Sequence, residues 1–158
     1  MCASTVKEGY LPLRKRGWLS WGDALSRQSY LFPCCFVKPN TYRVNCLHRE
    51  WAVIEFDEIG REYQASLVFY LAERFPRMPL CLIVDSGNKS YHGYFSVGDV
   101  TREEYFELFK LAKRLGCDSR MVFPEQRARM PNGWNHKEGA IQKVVWMSDQ
   151  FRKRLEKR

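Results

Sequence analysis

The chain has 158 residues, of which 45% are hydrophobic and 15% aromatic. A folded chain of this length buries about two thirds of the surface that it exposes when unfolded. This apolar content excludes disorder as the main state of the chain. Its 26 Lys and Arg against 18 Asp and Glu give a net charge of +8, which predicts an anionic partner: nucleic acid, a nucleotide or an anionic membrane surface. No run of 18 apolar residues and no leader-like apolar segment occurs, so we expect a cytoplasmic or nucleoplasmic protein.

The six cysteines are unevenly spaced. In a chain without a secretory signal they are expected to be reduced thiols that mostly fill the core. Cys34, Cys35, Cys46 and His48 are the combination to weigh as a zinc site. Because neighbouring strand residues point to opposite faces, Cys34 and Cys35 would not share one ion, and zinc is not expected.

The first fifty residues give weak signals. They are typical of a flexible arm, a short helix and two strands joined by a Pro-Asn turn, at 1–16, 18–27, 31–37 and 41–46. The arm ends in a basic cluster formed by Arg14, Lys15 and Arg16.

Two clearer elements follow. Residues 51–57 (WAVIEFD) predict a strand in which Glu55 and Asp57 share one face. Residues 61–75 predict a helix, because apolar side chains recur at helical spacing before Pro76 ends the pattern. The core stripe of that helix would be Tyr63, Leu67, Leu71 and Phe75.

Two strands and a second helix come next. Residues 80–87 predict a buried strand, and 90–97 a second strand after a tight turn. Thr101 and Glu104 have the spacing of a capping box, so a helix is expected to begin there. Its buried stripe would be Tyr105, Leu108, Phe109, Ala112 and Leu115.

Beyond that helix the signals are shorter. Strands are predicted at 121–123, 127–131 and 140–147. A basic helical tail at 149–158 carries Arg152, Lys153 and Arg154. Strands interrupted by two helices, with no repeat or linker, predict a single α+β domain over 1–158, in which helices flank a mostly antiparallel sheet.

An acid pair lies on the first clear strand. Carboxylates two residues apart on a strand present their oxygens on one side, where Mg²⁺ or Mn²⁺ can bridge them. Glu55 and Asp57 therefore form a candidate metal site. The same spacing is also typical of a solvated polar strand end.

Residues 86–92 (SGNKSYH) predict an anion site. The Ser-Gly-Asn turn can make successive backbone N–H groups converge, and Lys89 adds positive charge. Ser90 and His92 then project from one face of the next strand, where the small Gly93 would leave room beside them. An ordinary hairpin with a structural histidine is the open alternative.

A third stretch, 118–137, combines an acid with arginines. Asp118 follows the end of the second helix. Arg127 and Arg129 would share a strand face, and a Pro-Asn-Gly turn then leads to Lys137. Arginine suits phosphate because it donates two parallel hydrogen bonds, although an ordinary basic surface has the same composition.

Taken in order, these motifs resemble the catalytic core of the archaeo-eukaryotic primase superfamily, in its phage, plasmid and bacterial primase-polymerase form. The first family motif, two acids one residue apart, is matched by Glu55 and Asp57. The second, Ser-x-His, is matched by Ser90 and His92. A downstream acid is matched by Asp118, ahead of an arginine strand that reads R-x-R-x-P-x-G-x-N-x-K.

The resemblance implies a nucleotidyltransferase that works in DNA replication and extends a 3′-hydroxyl on a single-stranded DNA template from nucleoside triphosphates. The catalytic, metal-binding acids would be Glu55, Asp57 and Asp118, holding two Mg²⁺ or Mn²⁺ ions. The triphosphate would be bound by Ser86, Gly87, Lys89, Ser90, His92, Arg127, Arg129 and Lys137. The template backbone would follow the basic clusters of Arg14, Lys15, Arg16, Arg152, Lys153 and Arg154.

Two alternatives stay open. A non-catalytic nucleic-acid or nucleotide-binding module on a degenerate primase fold would keep the basic surface but would not bind triphosphate in a metal-dependent way. An RNA-recognition-type sheet protein would expose aromatic side chains on its central strands, where this sequence has acids and a histidine.

The expected partners are single-stranded DNA and nucleoside triphosphates in a bacterial, phage or plasmid setting. No membrane partner is expected, and a replicative helicase is left open. The remaining aromatic candidates would either stack on bases or fill the core: Tyr91, Tyr94, Phe95 and Trp134.

Overall fold

The computed structural model describes residues 2–4, 11–12, 29–36 and 46–157. The helix predicted at 18–27, the Pro-Asn turn at 39–40 and the basic cluster at 14–16 lie outside these ranges. Of the predicted arm, the structure describes two short strands.

The strands are, in chain order, β1 (Cys2–Ser4), β2 (Leu11–Pro12), β3 (Tyr30–Leu31), β4 (Cys34–Phe36), β5 (Cys46–Arg49), β6 (Trp51–Glu55), β7 (Leu80–Asp85), β8 (Tyr91–Ser96), β9 (Ala128–Arg129), β10 (Trp134–Asn135), β11 (Ala140–Ile141) and β12 (Val144–Met147). The helices are α1 (Arg61–Arg74), α2 (Arg102–Arg114), α3 (Asp149–Glu156) and a 3-10 helix (Ser119–Val122).

The central sheet has the order β12-β7-β8-β6, and all its pairings are antiparallel. A second sheet has the order β2-β1-β3-β9, and β4-β5 and β10-β11 form two-stranded ribbons. β7 lies between β8 and β12. Its first five residues are all buried, so both faces of this strand are covered, which explains its nearly unbroken apolar sequence. The predicted α+β class with a mostly antiparallel sheet is confirmed.

The register of β6 against β8 sets the two faces of this sheet. Glu55 lies opposite His92, and Ile54 lies opposite Gly93. Because side chains alternate along a strand, Glu55 and His92 share one face, while Ile54 and Gly93 share the other. Helix α1 covers that second face, since a Cβ on Gly93 would lie 2.6 Å from a γ-carbon of Val68. The small size of Gly93 therefore allows α1 to pack closely against the sheet. Gly93 does not leave room beside Ser90 and His92, so the role predicted for it is wrong.

Helix α1 lies close to its predicted position, but only part of its predicted stripe is buried. Tyr63 is 62% exposed, whereas Gln64, Val68 and Leu71 are buried. The side chain of Gln64 accepts from the Tyr91 N–H at 2.7 Å and donates to two carbonyl groups. The amide thus ties the helix to the start of β8, a polar contact that apolar periodicity cannot predict.

Helix α2 is confirmed with its capping box. The Thr101 hydroxyl accepts from the Glu104 N–H, and the Glu104 carboxylate accepts from the Thr101 N–H. The predicted stripe is buried at Tyr105, Leu108, Phe109 and Ala112.

The strand predicted at 121–123 is wrong, because these residues belong to the 3-10 helix and its end. Asp118 caps this helix by accepting from the Arg120 N–H at 2.9 Å. The carbonyl of Val122 accepts from Arg49 and from the Tyr105 hydroxyl, which fixes the other end. Further on, the strand predicted at 127–131 is only two residues long, and the one at 140–147 is divided into β11 and β12.

The expectation of reduced thiols is wrong for one pair of cysteines. Cys34 and Cys46 form a disulfide between β4 and β5. Cys81 and Cys117 are buried free thiols. Burial raises the pKa of both thiols, to about 12 for Cys117, so these two side chains are unreactive core residues at neutral pH.

No helix among the described residues is long and apolar enough to span a membrane.

The close approach of Gly93 to Val68 gives a test of the packing between α1 and the sheet. Gly93→Ala should lower the free energy of unfolding by about 1–3 kcal/mol, because the added methyl group overpacks the interface. Urea denaturation measures this change. Adding Val68→Ala should recover part of the loss, and strictly additive effects would contradict the close contact.

Candidate active site

Two acids meet at the end of strand β6. Glu55 is the last residue of the strand, and Asp57 lies two residues beyond its end, in the following bend. Their carboxyl groups lie close enough for each to shift the pKa of the other. The predicted pair is therefore in contact, although only one member belongs to the strand.

The two carboxyls have opposite pKa shifts. Burial disfavours ionisation of Glu55, but attraction to His92 and the hydrogen bonds of His92, Asp57 and Ser90 outweigh it and lower the pKa to about 2. Burial raises the pKa of Asp57, and the hydrogen bond and charge of Glu55 raise it further. Glu55 is thus ionised and well partnered, whereas burial and the charge of Glu55 disfavour ionisation of Asp57.

Strand β8 supplies the partners of Glu55. The Ser90 hydroxyl donates to Glu55 Oε1 at 3.2 Å, and His92 Nε2 lies 3.4 Å from the same oxygen. Ser90 and His92 also contact each other at 3.3 Å. His92 is 2% exposed, so in this structure the Ser-x-His motif orients the acid and does not face open solvent.

The turn before β8 does not offer the predicted set of free amides. The Gly87 N–H donates to the Asp85 carboxylate at 2.9 Å, and the Ser86 N–H donates to the Ser90 carbonyl at 3.0 Å. Gly87 has φ of +74°, which a non-glycine residue rarely adopts. The amides of Ser86 and Gly87 therefore hold the hairpin together, and the predicted anion nest is wrong for these two residues.

Lys89 reaches the acid pair from this turn. Its Nζ lies 3.7 Å from Asp57 Oδ2, and its side chain is 58% exposed. The ammonium lowers the pKa of Asp57 but does not outweigh burial and Glu55. Lys89 thus lies at the open edge of the site, where an anionic ligand can reach it.

Asp118 lies beside the acid pair. Its backbone N–H donates to the Glu55 carbonyl at 2.9 Å. Its carboxylate accepts from the Arg120 guanidinium at 2.8 and 3.1 Å, and this hydrogen bond lowers its pKa. The third predicted acid is therefore near the other two, but its oxygens bind an arginine.

Sequence reasoning missed Arg120. Its pKa is raised first by the hydrogen bond with Asp118 and further by the charges of Glu55 and Asp57. The guanidinium is thus the positive group nearest to Asp118 at this site. An Asp-x-Arg spacing at a helix start is the signal that could have identified it.

Arg127 and Arg129 converge on one aromatic ring. Their guanidinium carbons lie 5.1 and 4.8 Å from the centroid of Tyr30. The strand that carries them is shorter than predicted, because β9 contains only Ala128 and Arg129. One terminal nitrogen of Arg129 is buried without a hydrogen-bond partner, which leaves a donor for a ligand.

Tyr94 lies on the same face of β8 as His92 and is hydrogen-bonded to the backbone of Arg129. Its hydroxyl donates to the Arg129 carbonyl. Burial raises the pKa of Tyr94, and the charge of Glu55 raises it further. Tyr94 and Phe95 are both buried, so they are core residues and cannot stack on bases in this structure. Tyr91, which is half-buried, lies beneath the guanidinium of Arg61 at 4.5 Å.

Asn135 joins the third sequence stretch to the second. Its buried amide donates to the Ser86 carbonyl at 2.9 Å. Lys137 instead is 80% exposed and pairs with Glu138 at 3.8 Å. In the tail, Arg152, Lys153 and Arg154 are exposed on α3.

The acid pair has features that suit a divalent cation. Asp57 Oδ1 is buried without a hydrogen-bond partner, and the charge of Lys89 does not outweigh the effects of burial and Glu55 that disfavour ionisation of this carboxyl. Carboxylate oxygens are the ligands that Mg²⁺ and Mn²⁺ prefer. Within the described ranges, no three His, Cys, Asp or Glu side chains are already arranged around a common metal position.

Comparison with known proteins identifies the fold. No family model and no curated protein matches the sequence. A solved structure, the AEP domain (archaeo-eukaryotic primase domain) of the primase-polymerase from cyanophage S-2L, superposes with a TM-score of 0.63 and 16% sequence identity. The match covers 93% of this chain and 80% of that one. The chain therefore has the fold of an archaeo-eukaryotic primase domain.

Proposed function

We propose that this chain is the catalytic core of a primase or primase-polymerase, which transfers nucleotides from triphosphates to a 3′-hydroxyl on single-stranded DNA. The observation that carries the proposal is the convergence of Glu55, Asp57 and Asp118 beside Lys89 and His92. These residues come from four separate parts of the fold. Their meeting at one edge of a primase-like sheet supports metal-dependent phosphoryl chemistry.

Glu55, Asp57 and Asp118 would hold Mg²⁺ or Mn²⁺. When bound, such ions neutralise phosphate charge and make a 3′-hydroxyl a better nucleophile. The unpartnered oxygen of Asp57 supports this assignment, because it is an acceptor without a donor. Asp118 would have to exchange its contact with Arg120 for the metal.

The surrounding residues have separate tasks. Ser90 and His92 hold the Glu55 carboxylate in place and keep it ionised. Lys89, exposed beside Asp57, would bind the triphosphate. The unpartnered nitrogen of Arg129 would donate to the same group.

The template would contact the positively charged surface. Arg152, Lys153 and Arg154 are exposed on α3, as backbone contacts require. Phosphate contacts of this type are independent of sequence and weaken as salt increases.

A second function is a nucleic-acid-binding module without catalysis. The observation in its favour is that Arg120 occupies the Asp118 carboxylate. Such a module would bind nucleic acid but would have no requirement for metal in binding triphosphate.

The first test removes one acid without changing its shape. Asp57→Asn should lower nucleotide incorporation on a single-stranded DNA template by about 100-fold or more, because the charge that binds the metal is lost. Primer synthesis and extension gels with Mg²⁺ or Mn²⁺ measure this effect. Asp99→Asn, an exposed carboxylate in a loop, is the matched control. If the wild type shows no synthesis with either metal, and Asp57→Asn binds triphosphate normally, the binding module is the correct function.

The second test concerns the histidine beside Glu55. His92→Ala should weaken Mn²⁺ binding and nucleotide use by about 10- to 100-fold, because Glu55 loses the group that orients it. His92→Gln should recover part of the effect by restoring a donor near Glu55 Oε1. Calorimetry measures metal affinity, and circular dichroism shows whether the variant stays folded. Equal metal affinity in His92→Ala and in the exposed-site control His136→Ala would contradict this role.

The third test asks whether Arg120 competes with metal. Arg120→Gln should raise Mn²⁺ affinity about two- to fivefold, because it frees the Asp118 carboxylate and removes a positive charge from the site. Arg74→Gln removes the same charge from the end of α1 and should change the affinity less. A fall in affinity for Arg120→Gln would mean that the arginine instead orients Asp118 for the metal.

A further inference from the structure

A cavity of about 570 Å³ lies away from the acid pair and has no role in the proposed chemistry. It opens between the start of helix α2 and the end of the 3-10 helix. The lining residues that matter for its chemistry are Arg49, Arg102, Tyr105, Phe106, Val122 and Phe123.

Two phenylalanines in this lining are exposed. Phe106 is 44% and Phe123 40% accessible. Tyr105 is buried beside them, and its ring packs edge-on against Phe106 at 5.7 Å between centroids. Large apolar rings in a concave and accessible position are typical of binding sites for flat apolar groups.

The charged groups of the cavity are positive. The guanidinium carbon of Arg49 lies 4.4 Å from the Tyr105 ring centroid, and that of Arg102 lies 5.4 Å from the Phe106 centroid. Among the described residues that line the cavity, none carries a carboxylate. The lining therefore suits a ligand that combines a flat ring with negative charge, which is the chemistry of a nucleotide unit.

The position of the cavity relative to the acids favours a polymer. Val122 lines the cavity at one end of the 3-10 helix, and Asp118 caps the other end. Four residues of 3-10 helix span about 8 Å at ~2.0 Å per residue. A strand of two or more nucleotides bound in the cavity is therefore long enough to reach the neighbourhood of Asp118.

We propose that this cavity is a stacking site for the bases of single-stranded nucleic acid. Phe106 and Phe123 would contact the bases, while Arg102 and Arg49 would neutralise the adjoining phosphates. The role of this strand as a template rests on the proposed function. The binding itself requires neither metal nor triphosphate.

The test measures binding alone. The full chain is titrated into a fluorescent oligothymidylate without metal or triphosphate, and anisotropy gives the affinity. Phe106→Ala and Phe123→Ala should each weaken binding about fivefold or more, because base–aromatic stacking is lost. Tyr63→Ala, which removes an exposed ring from α1, is the matched control and should leave the affinity unchanged.

An abasic oligonucleotide of equal length separates stacking from charge. It should bind the wild type more weakly than oligothymidylate, and the double alanine variant should no longer distinguish the two. Phe106→Leu keeps most of the apolar volume, so this variant should remain folded. It should still lose affinity, and that loss would then come from the missing ring and not from unfolding.

Two results would overturn the proposal: unchanged affinity in the double variant, or equal binding of both oligonucleotides by the wild type. The second result would mean that the cavity binds nucleic acid through charge alone, without base stacking. If stacking is observed but the wild type synthesises no primer, the proposed catalysis fails while this site stands.

Discussion

The pairing of β6 with β8 is the constraint on which the site depends. This register places Glu55 opposite His92 and Ile54 opposite Gly93. A slip of one residue would move Glu55 to the face that α1 covers, since side chains alternate along a strand. The contact between Gly93 and Val68 makes that face tight. The packing of α1 on one face of the sheet therefore stabilises the strand register that places Glu55 beside His92 on the other face.

The electrostatics of the site are unbalanced in a way that suits its proposed task. Glu55 is ionised because its partners outweigh the cost of burial, while Asp57 lacks equivalent partners. Asp118 is balanced by Arg120, an exposed side chain. The Arg120 side chain is 70% exposed, so it can turn toward solvent if a metal ion takes its place beside Asp118. In the proposed function, a metal ion would replace Arg120 as the positive partner of Asp118.

The hairpin shows how far local sequence can be interpreted. The Ser-Gly-Asn turn and the following strand were predictable, because glycine at positive φ and β-rich residues are local signals. The sequence did not show which acceptors the backbone N–H groups of the turn would bond to. Asp85, at the end of β7, accepts the Gly87 N–H and is itself paired with Arg61 of α1 at 2.6 Å. A distant arginine thus helps to turn an apparent anion nest into a rigid structural turn.

The sequence by itself determined the strand cores, the capping box of α2, the α+β class and the order of the acidic and basic motifs. These features depend on local periodicity and on residue type. Only the tertiary structure decided that α1 buries Gln64 instead of Tyr63, that His92 faces Glu55, and that Arg120 binds Asp118. Each of these outcomes depends on which side chains meet across separate elements. The free energy of burying or pairing a polar group is set by those neighbours, and a linear pattern does not contain them.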